Sequence, residues 1–87
     1  AWQIEFEPED VAGSVGAALI DSLSGDADGD AWTAIIFDSV VARHPDLKNA
    51  LRSDSELATC VIWVETESAC RRVLEVVQEL VREEDDD

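Results

Sequence analysis

The sequence predicts a small α+β domain, a three-stranded sheet with two helices packed on it, and three observations carry that prediction. Residues 2 to 7, WQIEFE, alternate apolar and polar side chains; residues 57 to 65, LATCVIWVE, form a continuous apolar run; and residues 67 to 84 repeat apolar positions at helical spacing. The alternation marks a half-buried strand. The unbroken run marks a central strand covered on both faces, and the third pattern an amphipathic helix.

Taken in order, Trp2, Ile4 and Phe6 form the apolar face of the first strand, with Gln3, Glu5 and Glu7 opposite. Pro8 suits the first turn of a helix and Glu9 and Asp10 its positive end, while Val11, Val15, Leu19 and Leu23 recur every four residues. A helix is therefore expected over residues 8 to 23, ending at Ser24-Gly25. Gly13 and Gly16 weaken it by about 1 kcal/mol each relative to Ala, which implies close packing on the sheet. Residues 32 to 41, WTAIIFDSVV, are β-branched or aromatic at seven of ten positions and are read as the second strand. The alternative is a helix over 31 to 43, capped by Asp30, with Trp32, Ile35, Ile36 and Val40 on one face and His44-Pro45 beyond its end. Residues 46 to 52, DLKNALR, follow as a short helix or turn, and SDSE as a polar connector. In the last helix Cys70, Val73, Val77, Leu80 and Val81 point inward, with Arg71 and Glu75 an outward pair four residues apart. The resulting β-α-β-(short α)-β-α order defines a two-layer domain over residues 1 to 84 with an acidic tail at 85 to 87. It resembles a ferredoxin-type arrangement without its last strand.

Eighty-seven residues, 46% of them hydrophobic, suffice for one core and are too few for an enzyme with a deep, dry cleft. No apolar run approaches the roughly 18 to 20 residues that span a bilayer, and AWQIEFEPED lacks the basic start and apolar middle of a signal peptide, so a soluble, cytoplasmic chain is expected. Cys60 and Cys70 fall in no C-x-x-C or Cys/His ligand pattern and are read as reduced thiols. Against 21 Asp and Glu stand 6 Lys and Arg, a formal net charge of −15. That balance argues against nucleic acid and against an anionic membrane as direct ligands, because both need clustered cations. Lys48 is the only lysine. High acid, scarce lysine and abundant Ala, Val and Asp resemble the composition of proteins from extreme halophiles. In dilute buffer such a charge repels itself; at 1 M salt the Debye length falls to about 3 Å and the penalty disappears.

The stretch SGDADGDAW, residues 24 to 32, carries Asp26, Asp28 and Asp30 at the spacing that opens an EF-hand loop. With Asp26 at the first position, Ala31 stands where the turn needs Gly and Phe37 where a bidentate Glu belongs, so a solvated turn with at most weak, non-specific cation binding is expected. His44 has no neighbouring nucleophile, and Cys60 lies mid-strand; no catalytic, cofactor or metal residue is assigned. Cys70, near a helix start beside Arg71 and Arg72, is the one thiol with a basic neighbourhood, but the helical pattern turns it inward. Trp2 and Trp63 are placed on strand faces that meet the helices. Trp32, beside the acidic loop, and the doublet Arg71-Arg72 are the candidate interface residues, with core packing and pairing to Glu65, Glu67 and Glu75 as their ordinary roles. The reading that results is a non-enzymatic protein-interaction or regulatory domain, with a homodimer through the sheet as one form of it. The alternative is an acidic inhibitor, immunity protein or nucleic-acid mimic that binds a basic protein.

Overall fold

The computed structural model describes residues 2–23, 25–56 and 58–83; the acidic tail at 85–87 lies outside them. Strand β1 (Trp2–Phe6) leads through a 3₁₀ turn (Pro8–Val11) to helix α1 (Val15–Ser22), then α2 (Gly29–Arg43), a second 3₁₀ turn (Pro45–Leu47), β2 (Arg52–Ser53), β3 (Cys60–Val64) and α3 (Glu67–Val81). The fold is α+β with a three-stranded antiparallel sheet ordered β1-β3-β2. β1 and β2 thus run parallel to one another with β3 between them, a split layout that needs a crossover between β1 and β2. α1 and α2 make that crossover.

The largest correction concerns residues 32 to 41, which are helix α2 and not a strand. Its β-branched residues cost a few tenths of a kcal/mol each in a helix. Burying Trp32, Ile35, Ile36 and Val40 on one side returns roughly 1.5 to 3 kcal/mol apiece, and the helical spacing is what brings them together. The cap is Asp28 rather than Asp30: its Oδ1 accepts the Ala31 N–H at 2.8 Å. Pro45 and the residue before it stop the helix. The missing strand is Arg52–Ser53, just two residues, inside a stretch read as turn and connector.

The helix expected over 8 to 23 is also divided. Pro8 opens a 3₁₀ turn, and α1 starts anew at Val15, where the buried Ser14 caps it by accepting the Ala17 N–H at 3.2 Å. α1 buries Gly16, Ala17 and Ile20, while Leu19 and Leu23 are 41% and 68% exposed, so the four-residue leucine pattern marks the outer side. Gly16 decides this orientation: a Cβ there would collide with the Trp32 ring and press on the Leu80 carbonyl, so the bare backbone seats on α2 and α3. Its close packing is on helices and not on the sheet. Gly13 has open space around it.

β3 is central, as expected, but among the described residues it is covered on one face only. Cys60, Ile62 and Val64 are buried opposite Phe6, Ile4 and Trp2 of β1, and α2 and α3 lie over this face. Val61 and Trp63 turn the other way, half-buried and 38% exposed. Trp63 therefore leaves the helix-facing side assigned to it, and Trp2, on the correct side, is still 46% exposed at the end of an edge strand. The core centres on Trp32, Ile36, Val40, Ile62, Val64, Val73 and Val76, with Phe6 edge-on to the Trp32 ring at 5.2 Å between centroids. α3 opens at Thr66, whose Oγ1 accepts the Ala69 N–H at 3.1 Å. No helix is long and apolar enough to cross a membrane among the described residues.

Candidate functional site

The open sheet face is built by strand register. Trp63 stands between Gln3 on β1 and Arg52 on β2, and Val61 stands opposite Glu5 with the Asp54 N–H bonded to its carbonyl at 3.1 Å. The arrangement is two apolar side chains ringed by Gln3, Glu5, Arg52 and Asp54. An apolar centre inside a polar rim is the usual anatomy of a docking patch. A signal for it existed in the sequence: Thr59, within the run LATCVIWVE, and Glu65, at its end, share the parity of Val61 and Trp63. Alternation was present but hidden by the apolar character of both faces.

A second surface is a groove of about 830 Å³ between the first 3₁₀ turn, α1, the aspartate loop and the tip of the β2–β3 connection. Glu7, Glu9, Asp21, Asp26 and Asp28 line it, with alanines and Gly13 between them and no Lys or Arg among the described lining residues. Glu7, Glu9 and Asp10 bring carboxylate oxygens within 4.8 Å of one another on its exposed margin. Glu7 and Glu9, Asp21, and Asp26 and Asp28 come from three separate segments, so their convergence on the groove was not legible. Asp26, Asp28 and Asp30 do not gather: Asp28 is spent on the α2 cap, and Asp30 lies exposed in the first helical turn.

Beneath that groove a polar cluster ties α2 to the β2–β3 connection. Thr33 Oγ1 donates to the Gly29 carbonyl at 2.9 Å, and lies 2.6 Å from Ser55 Oγ and 3.5 Å from Cys60 Sγ. Ser55 Oγ in turn accepts the Val61 N–H at 2.9 Å. Burial pushes the Cys60 thiol above its usual range, with the Thr33 and Ser55 hydroxyls opposing weakly, so the nucleophilic thiolate is disfavoured. This cluster is structural cement.

The three candidate interface residues do not come together. Trp32 is fully buried, because a 3.6-residue repeat turns it inward; it is core and not a rim residue, and its indole N–H finds no acceptor among the described residues. Arg71 pairs with Glu67 at 2.8 Å, one turn before it, rather than with Glu75. Arg72 pairs with Asp46 at 2.8 Å, joining α3 to the turn after α2. Arg43, which the sequence did not single out, pairs with Glu79; that hydrogen bond raises the guanidinium's pKa and holds the Glu79 carboxyl below the ordinary range. Cys70 is half-buried, and the His44 N–H closes α2 by donating to the Val40 carbonyl at 2.7 Å. Compared with known proteins, the chain matches no family model, no curated protein and no solved structure.

Proposed function

We propose that this chain is a non-enzymatic protein-interaction domain, acidic through adaptation to high salt, that docks through the open face of its sheet. The observation that carries the reading is Trp63. A large aromatic side chain, 38% exposed, sits with Val61 at the middle of a polar rim, on the face of β3 that no element covers among the described residues. Tryptophan is among the residues enriched at binding hot spots. Burial of the Cys60 thiol, which raises its pKa, fits a packing role for that residue. The net charge of −15 favours a protein partner over nucleic acid or an anionic membrane. The test is affinity capture from a source-cell lysate in molar KCl with the natural chain and a Trp63→Ser bait. A partner enriched by the first and lost by the second supports the reading; identical catches sink it.

The acidic groove favours a second reading, an inhibitor or mimic that takes a basic segment of another protein. Glu7, Glu9, Asp21, Asp26 and Asp28, from three chain segments, line one groove with no Lys or Arg among its described lining residues. Binding of a Lys/Arg-rich peptide, lost on replacing Asp21 and Asp26 by Asn and steeply weakened by salt, would support it over the first.

A further inference from the structure

We propose that the domain pairs with a second copy of itself along the free edge of β1, antiparallel about a twofold axis through Ile4, joining the two sheets into one of six strands. This rests on reading the chain as a protein-interaction domain and names a partner for it.

Backbone direction is the first argument. The Asp54 N–H bonds to the Val61 carbonyl, and the Val61 N–H reaches Ser55, so residue 61 points its polar backbone groups toward β2. Those directions alternate along a strand, which turns Cys60, Ile62 and Val64 toward β1 and makes Phe6, Ile4 and Trp2 their hydrogen-bonded partners. The N–H and C=O groups of Gln3 and Glu5 consequently point away from the sheet. β1 is an edge strand, both residues are exposed, and no backbone bond to either lies outside the sheet among the described residues. Such a row pairs readily with another chain.

Register is the second. Twofold pairing about Ile4 sets Gln3 opposite the copy's Glu5 twice, as hydrogen-bonded pairs, and Ile4 opposite Ile4. Sliding the copy by two residues to centre on Glu5 would oppose like charges, which is destabilising, and centring on Gln3 would leave Phe6 without a partner. The chosen register also sets Trp2 across from Phe6 on the helix-facing side, where Trp2 is now 46% exposed.

The third argument comes from α3. α2 packs over β3, whereas α3 packs over β1 as well, so the flank of α3 turned away from α2 overhangs the free edge. The side facing α2 is marked by Arg72, paired to Asp46, and by Glu79, paired to Arg43. At about 100° per residue, Leu74 stands roughly 200° round the helix from Arg72, and Cys70 and Val81 close to it. Leu74 is 39% exposed, and Cys70 and Val81 are half-buried. Cys70, Leu74 and Val81, with the polar Glu67 and Gln78 beside them, thus border the unpaired strand, and a second copy on that edge covers the apolar three with the same contact.

Sedimentation equilibrium of the purified chain in 0.1 to 3 M KCl tests the proposal, alongside Glu5→Pro, Gln3→Lys and Ile4→Cys in a Cys70→Ser background. Glu5→Pro removes one outward N–H and leaves the β3 bonds intact, so it should yield a monomer with unchanged near-ultraviolet circular dichroism. Gln3→Lys faces the copy's Glu5 and should tighten the dimer about tenfold. Cysteines at position 4 lie directly opposite, within disulfide reach, and should cross-link under mild oxidation. A strictly monomeric natural chain at high micromolar concentration in 3 M KCl overturns the proposal, and so does a dimer that neither Glu5→Pro nor Gln3→Lys alters. If the lysate partner still depends on Trp63 in either case, the interaction reading stands without this one.

Discussion

At Gly29 a single hydrogen atom holds the place of a side chain: a Cβ would overlap the carbonyl oxygens of Glu56 and Thr59, which belong to backbone that cannot swing aside. Gly29→Ala should therefore cost more than about 2 kcal/mol, seen as a lowered denaturation midpoint at unchanged slope. Gly13→Ala is the internal control, with open space and an ordinary φ, and should stabilise by about 0.5 kcal/mol through the unfolded state. The neighbouring Ser55→Ala change strands the Val61 N–H, an expected loss of about 1 to 3 kcal/mol. Thiol labelling reads the same region: native protein should take a maleimide at half-buried Cys70 and spare Cys60, which labels only on unfolding. Equal rates at both would contradict the buried cluster. Calcium titrated at molar KCl should leave the amide resonances of residues 26 to 38 in place, since Asp28 already serves α2.

Elements differ in how openly the sequence announces them. α3 and β1 stand out because each has one apolar and one polar side, and the structure keeps both, although α3 ends at Val81. α2 reads as a strand because its outer residues Ala34, Phe37, Ser39, Val41 and Ala42 blunt the contrast that a helical repeat needs; the shared face of Trp32, Ile35, Ile36 and Val40, an acidic cap and the following proline speak for the helix alternative, which the structure shows. β2 is invisible in the sequence, since two residues carry no periodicity and its pairing is dictated by β3. α1 inverts the rule that leucines point inward, because Gly16 and Ala17 permit an approach that leucine would block. Leu23→Gln should accordingly change stability by less than about 0.5 kcal/mol, against about 2 to 5 for Ile20→Ala, in paired urea titrations. Between α2 and α3, Glu79 has its pKa lowered chiefly by the hydrogen bond from Arg43. A depressed acid stabilises the fold above its unfolded pKa, and loses that contribution as pH falls through the folded value. Glu79→Gln should hence lower the melting temperature slightly at pH 7, and the loss should shrink as pH falls through the folded carboxyl's depressed pKa; a loss that does not change with pH would assign the effect to packing.

For the molecule as a whole, ion pairing hardly offsets the −15 charge: among the described residues three surface pairs engage Arg43, Arg71 and Arg72. Stability should rise from dilute buffer into 2 M KCl, and about 2 kcal/mol would read as roughly 8 to 16 °C in melting temperature for a domain this size. A flat curve would remove high-salt adaptation as the reason for the acid. The register of β1 on β3, which pairs Trp2 with Val64, also fixes a timetable for assembly. The β2–β3 connection and α3 close over short spans, whereas seating β1 requires joining chain ends roughly sixty residues apart, an entropic cost of about 3 to 4 kcal/mol. Local pieces can nucleate before that cost is met, so β1 should dock after the transition state, and Ile4→Ala should speed unfolding while leaving the refolding limb of the chevron almost untouched. The strand that arrives last is then also the first to lift away, and the lifetime of the native state is governed from β1.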